Sequence, residues 1–130
     1  MQKGDKFVHT FMVSDDVYQG FLKTFDDRNP MHTDREFAIS NGFKDVVMHG
    51  NILGGFVSYF VGETLPIKNI VIISQGLNFH KPFYINKEVT LTATIADLYE
   101  SVNLVDFKLV FTNPEGVKVA KGKLQIKIIE

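Results

Sequence analysis

The chain has 130 residues, with a formal net charge of −1, 45% hydrophobic and 22% charged residues. That length supports one ordinary core, so residues 1–130 are expected to form a single globular domain, and lysines scattered without interleaved aromatics exclude a nucleic-acid partner. The absence of cysteine excludes disulfides, thiolate metal sites and a thiol nucleophile.

The N-terminus, MQKGDKFVHTF, has no apolar run of signal-peptide length. The longest nearly uncharged stretch, Val46 to Val61, contains His49, Asn51 and three glycines, and falls short of a membrane span. The expected compartment is therefore the cytoplasm, with no membrane partner. Twelve phenylalanines and no tryptophan predict a Phe-filled core or, as the alternative, an apolar ligand cavity.

A short apolar run, Phe7–Val13, comes first. Ser14 then caps a helix with Asp15 and Asp16 in its first turn, where acids complement the helix dipole, and Val17, Tyr18, Phe21, Leu22 and Phe25 recur at helical spacing. Pro30 disfavours helical geometry at Asn29, so this helix should end near Asp27. Thr33-Asp-Arg-Glu36 reads as a capping box opening a second short helix, with Gly42 as its stop. A third helix is predicted from about Val47 to Gly62. Apolar residues surround its axis almost completely, so it should be buried on all sides. Gly50, Gly54 and Gly55 lower its helix propensity, which predicts close approach of another backbone or a ligand.

From Lys68 onward the period becomes two. Ile67–Phe79 reads as a strand with a candidate bulge at Gly76. Val89-Thr-Leu-Thr-Ala-Thr-Ile95 alternates apolar residues with threonine, and Asn103, Val105, Phe107, Leu109 and Phe111 share one face of the next strand. Asn113-Pro-Glu-Gly116 is a turn, followed by a strand with Gly122, Leu124, Ile126 and Ile128 inward. Helices followed by strands make an α+β domain in which a mostly antiparallel sheet wraps a helix.

The chemistry concentrates in FDDRNPMHTD, residues 25–34, and in His49-Gly50-Asn51 at the start of the third helix. A helix N-terminus presents free backbone N–H groups and a positive dipole end, so a carbonyl lodged there has its developing negative charge stabilised. Asp27 and His32 on the preceding connection can supply a base and an acid beside it. The plain readings also stand. Asp26 and Asp27 can be a solvated Asx turn, His32 a structural hydrogen-bonding residue, His49 a helix cap, and Ser58 a side chain bonded to the carbonyl one turn back. Asp27, His32, Asp34 and His49 match no common zinc or iron spacing, so no metal is expected.

The run Phe25-Asp-Asp-Arg-Asn-Pro-Met-His32-Thr-Asp34, then Phe37-Ala38, Gly42-Phe43 and Val47-Met-His-Gly50, resembles the MaoC-like (R)-specific enoyl-CoA hydratases. The likeness continues through Ser58, Ser74-Gln-Gly-Leu-Asn-Phe79, Lys81-Pro82 and Glu88-Val-Thr90, in the family's order and over nearly the whole chain. Asp-x-Asn-Pro-x-His followed by a His-Gly pair is its most specific element. The resemblance implies a hot-dog fold, a long central helix wrapped by an antiparallel sheet, in a homodimer or higher homo-oligomer with active sites between subunits.

It further implies that Asp27 and His32 form the catalytic pair, with Asp27 as the base, and that the Gly50 N–H holds the thioester oxygen. Ser58 lies near the pair, Asn29 and Pro30 shape the turn, and His49 and Asn51 complete the substrate contacts. The implied reaction is reversible syn hydration of a trans-2-enoyl thioester to the (3R)-3-hydroxyacyl thioester, on CoA or an acyl-carrier protein, without cofactor or metal. Asn51 departs from the methionine common in the family, which bears on the substrate. Alternatives on the same fold are an acyl-carrier-protein dehydratase, a hot-dog thioesterase and a non-catalytic acyl-thioester binding module, although a binder has no need of Asp27 and His32. Lys44, Lys68 and Lys81 are candidate phosphate contacts.

Overall fold

The computed structural model describes residues 1–130. Strand β1 (Lys6–Val13) leads into α1 (Asp15–Phe25), two short helices α2 (Pro30–Thr33) and α3 (Arg35–Ser40), and α4 (Asn51–Tyr59), which closes in a π-helical turn, Phe60–Thr64. Strands β2 (Ile70–Phe79), β3 (Lys87–Tyr99), β4 (Leu104–Thr112) and β5 (Lys118–Ile128) follow. All five strands form one antiparallel sheet in the order β1-β3-β4-β5-β2. The expected α+β architecture is present.

The period-two pattern sets which face turns inward. Val89, Leu91, Ala93 and Ile95 of β3, Val105, Phe107, Leu109 and Phe111 of β4, and Leu124 and Ile126 of β5 are all buried. Helix α4 lays Ile52, Leu53 and Val57 on that face, and the π-helical turn adds Phe60 and Val61. Phe60 meets Phe107 edge-on, with ring centroids 5.5 Å apart. Phe11, Phe60, Phe83, Phe107 and Phe111 fill the core. Phe21, Phe25 and Phe56 instead line a cleft, so both readings of the phenylalanine content apply, to different residues.

Local signals were obeyed where local bonds decide. Ser14 caps α1, its hydroxyl accepting from the Val17 N–H at 3.2 Å. Gly42, at φ +92°, closes α3 with its N–H on the Ile39 carbonyl. In the Asn113–Gly116 turn the Asn113 side chain accepts from the Glu115 and Val117 amides.

Several boundaries moved. Helix α1 ends at Phe25 because Asp26 turns left-handed (φ 57°) and closes the helix on the Leu22 carbonyl. Pro30 begins its own single turn, α2, with Asn29 as cap, since proline at the first position of a helix loses no bond. The Thr33–Glu36 capping box does not form. Asp34 takes that role, accepting from the Phe37 N–H, while the Thr33 hydroxyl turns back to the Arg28 and Asn29 carbonyls. Helix α4 starts at Asn51 rather than Val47, because the Val47 N–H goes to the Met31 carbonyl and the Met48 N–H to that of Phe83.

Two further expectations are corrected. Helix α4 is buried on one side only. Asn51, Gly55, Ser58, Tyr59 and Gly62 form an exposed outer stripe of mostly small residues, which nothing in a single copy covers. In β2 the register slips at Ile73, between Ile72 and Ser74, and not at Gly76. No helix is long and apolar enough to cross a membrane.

Candidate active site

The polar stretch after α1 is held by side chains bonding backbone. Asn29 Oδ1 accepts from the Met31 N–H at 3.0 Å, and Asp27 Oδ1 from the Asn29 N–H at 3.3 Å. Arg28 Nε donates to Asp26 Oδ1 at 2.6 Å, so Asp26 is engaged, while Asp27 lines the neighbouring cleft. These contacts wind α2 so that His32 projects toward the start of α4.

Two backbone contacts then fix His32. Tyr18 Oη donates to its carbonyl at 2.5 Å, and its Nδ1 lies 2.7 Å from the Val47 carbonyl. A carbonyl only accepts, so Nδ1 carries the hydrogen, and in the neutral ring Nε2 keeps a free lone pair. Burial pushes the Tyr18 phenol above its ordinary value, with Arg28 opposing and Asp15 adding to the shift. His32 Nε2 stands 3.8 Å from Asp27 Oδ2, too far for a direct hydrogen bond. The side chains are 20% and 53% exposed, so both are open to solvent.

The start of α4 lies beside this pair. Ile52 and Leu53 donate to the His49 and Gly50 carbonyls, whereas the Gly50 and Asn51 amides have no backbone acceptor, as the first groups of a helix do not. A Cβ on Gly50 would meet the Phe79 ring at 3.0 Å. The expected close approach at Gly50 is therefore that of an aromatic side chain.

Two clefts meet here. One of about 750 Å³ is mainly apolar, with Val17, Phe21, Phe25 and Phe56 beside Asp27 and Asn51. The other, about 450 Å³, contains His32, Gly50, Asn51, Phe79 and Lys81. Asn51 lines both, Asp27 lines the first and His32 the second.

The remaining expected residues divide. His49 is 2% exposed and lines neither cleft. Ser58 lies on the exposed stripe, seven residues from Asn51 and so about 10 Å farther along α4, and lines neither cleft. Lys68 caps the π-helical turn through the Gly62 and Glu63 carbonyls, and Lys44 lies over the Tyr84 ring at 4.7 Å, leaving Lys81 as the one of the three in a cleft. Asp27, His32 and His49 bring potential donor atoms within 4.8 Å of one another. The two imidazoles are stacked, however, with centroids 4.0 Å apart and planes at 31°, so their in-plane lone pairs do not converge on one ion.

Sequence reasoning missed Tyr18 and Val47 as supports of His32, since nothing local signals contacts 14 and 15 residues away. It also missed the cleft wall of Val17, Phe21 and Phe25, although their spacing of four residues places them on one side of α1.

The family model for the MaoC like domain matches residues 8–113. The (R)-specific enoyl-CoA hydratase of Rhodospirillum rubrum is 30% identical over 102 residues, 78% of this chain and 70% of that protein. The mitochondrial 3-hydroxyacyl-[acyl-carrier-protein] dehydratase of Arabidopsis thaliana is 27% identical over 103 residues, 79% of this chain and 61% of that protein. The solved structure of the (R)-hydratase of Aeromonas caviae involved in PHA biosynthesis superposes with a TM-score of 0.91 at 24% identity, covering 99% of this chain and 98% of that one. The fold is thus the hot-dog fold, with its sheet wrapped around α4. Because the family match takes in β1, the polar turn, α4 and the strands through β4, this chain belongs to the MaoC-like domain family.

Proposed function

We propose that the protein hydrates trans-2-enoyl thioesters reversibly to (3R)-3-hydroxyacyl thioesters, with Asp27 and His32 as its acid–base pair. The observation that carries this reading is the pair itself: a carboxylate oxygen and an imidazole Nε2 held 3.8 Å apart at the junction of two clefts, beside the free amides of α4.

A water hydrogen-bonded to both groups, at about 2.8 Å from each, fits that separation. Both of its hydrogens are then engaged, and an oxygen lone pair is free to attack the β-carbon. Water is a poor nucleophile, so removal of its proton during attack lowers the barrier. The electron pair of the double bond moves toward the thioester carbonyl, where the Gly50 N–H and the positive end of α4 stabilise the enolate-like oxygen. The pair then returns a proton to the α-carbon on the same face, which completes a syn addition. With Nδ1 donating to Val47, the neutral His32 ring offers Nε2 as a proton acceptor, and in that form it shares the base role assigned to Asp27.

The apolar cleft beside Asp27 suits the acyl chain, and the cleft with Lys81 suits the carrier side. We further propose that one 130-residue domain forms each subunit of a homodimer. Strand β2 supports this: it is an edge strand of ten residues without a charge, exposing Val71, Ile72, Ile73 and Phe79. Such an edge is a template for another strand, and a second copy would cover it together with the open stripe of α4.

The test is loss of enoyl absorbance with crotonyl-CoA and longer enoyl-CoA substrates, with chiral analysis of the product. The (3R) alcohol is expected. Enoyl groups on an acyl-carrier protein form the second arm, because the Arabidopsis relative is named for that carrier. Release of free thiol without hydration would identify a thioesterase, and binding without turnover a non-catalytic module.

A further inference from the structure

His49 is the one buried polar side chain of the core, yet neither cleft reaches it. Its side chain lies behind the walls of both. Its contacts run instead to the acid–base pair. His49 Nε2 lies 2.8 Å from the main-chain oxygen of Asp27, which only accepts, so Nε2 carries the hydrogen. Its ring stacks on that of His32 at 4.0 Å and packs against Phe21 at 4.5 Å. Its Nδ1 is buried without a partner.

That unpartnered atom argues against a packing role. An orphaned buried polar atom is destabilising, and phenylalanine would fill nearly the same space between Phe21 and His32 without one. The feature that only a donor side chain supplies here is the bond to Asp27. The backbone makes this bond consequential, since Asp27 follows α1 while His49 directly precedes Gly50 at the start of α4. One ring thus ties the Asp27 backbone, the underside of His32 and the helix N-terminus to one another.

We propose that His49 is a positioning residue, which sets the spacing between Asp27, His32 and the Gly50 amide without contacting substrate. The inference rests on the acid–base reading of Asp27 and His32. A misplacement of about 1 Å costs up to about 100-fold in rate, and loss of a supporting partner of this kind 10- to 100-fold.

The test compares His49→Phe, His49→Gln and His49→Asn in the full chain. Phenylalanine keeps the stack and removes the donor, the glutamine amide reaches the Asp27 carbonyl, and the shorter asparagine does not. With crotonyl-CoA, His49→Phe should lower kcat roughly 10- to 100-fold and leave KM within about twofold, and His49→Gln should restore most of the loss. His49→Asn should remain impaired, so the Gln/Asn contrast decides the matter even if His49→Phe folds poorly. A rise in KM at constant kcat would make His49 a substrate contact, and equal activity of the Gln and Asn variants would remove the donor role. Either result overturns the proposal. Imidazole ¹⁵N spectra of the wild-type protein give a readout independent of turnover. A histidine protonated on Nε2 and bare on Nδ1, lost in His49→Gln, is expected, and the opposite tautomer overturns the tether. If the wild-type protein hydrates no enoyl thioester, the functional reading fails while the spectra still decide the tether.

Discussion

Strands β3 to β5 and the connection from Phe25 to Gly50 are held by different means. The strands bury an apolar face and pair along registers that shift only at Ile95/Asp97 and Phe111/Thr112, so many small contacts support each residue. The connection has no buried residue in α2, and its shape depends on a few named bonds: Asn29 to Met31, Tyr18 to His32, His32 to Val47 and His49 to Asp27. Damage to the sheet should therefore appear as lost stability, and damage to the connection as lost turnover.

The largest expected effect is in the sheet. Phe111→Ala removes a ring that is 0% exposed and should cost about 3–5 kcal/mol in urea unfolding, with kcat per folded molecule largely kept. Next come Asp27→Asn and His32→Ala, each expected to lower crotonyl-CoA hydration by about 100-fold or more with little change in the unfolding midpoint. Near-wild-type turnover in either folded variant would remove that residue from the acid–base pair. Gly50→Ala should be milder. Its φ of −56° suits alanine, but the new Cβ meets the half-exposed Phe79 ring at 3.0 Å and enters the space beside the amide. A kcat loss of roughly tenfold with an intact fold is expected, measured by steady-state kinetics. The smallest effect belongs to Asn29→Ala, which removes the α2 cap and should cost about 1 kcal/mol of stability. A sharper separation follows if this variant loses proportionally more activity than stability.

Much of the sheet was legible because side chains alternate there. Val89–Ile95, Val105–Phe111 and Leu124–Ile126 turned inward as their period required. The start of α4 was not legible, since the amides of Val47 and Met48 bond to Met31 and Phe83, which lie 16 and 35 residues away in sequence. Its half-open burial was also hidden, because an all-apolar helix looks the same whether one sheet covers it or a second copy shares the work. Ser58 and His49 show the same limit within the site. Their types suggested contact with a ligand, whereas one lies out on the exposed stripe and the other beneath the pair.

By itself, the sequence determined the α+β class, the strands, the N-terminal cap of α1 and the motif that places Asp27, His32 and Gly50 in one family pattern. All of these depend on local periodicity, short-range bonds or residue identity. Only the tertiary structure decided that Asp27 Oδ2 and His32 Nε2 lie 3.8 Å apart, that two clefts meet there, and that His49 lies underneath. Those facts depend on bonds between segments distant in sequence, such as His49 to Asp27, 22 residues apart, and Met48 to Phe83, 35 residues apart, and chain folding alone brings such partners together.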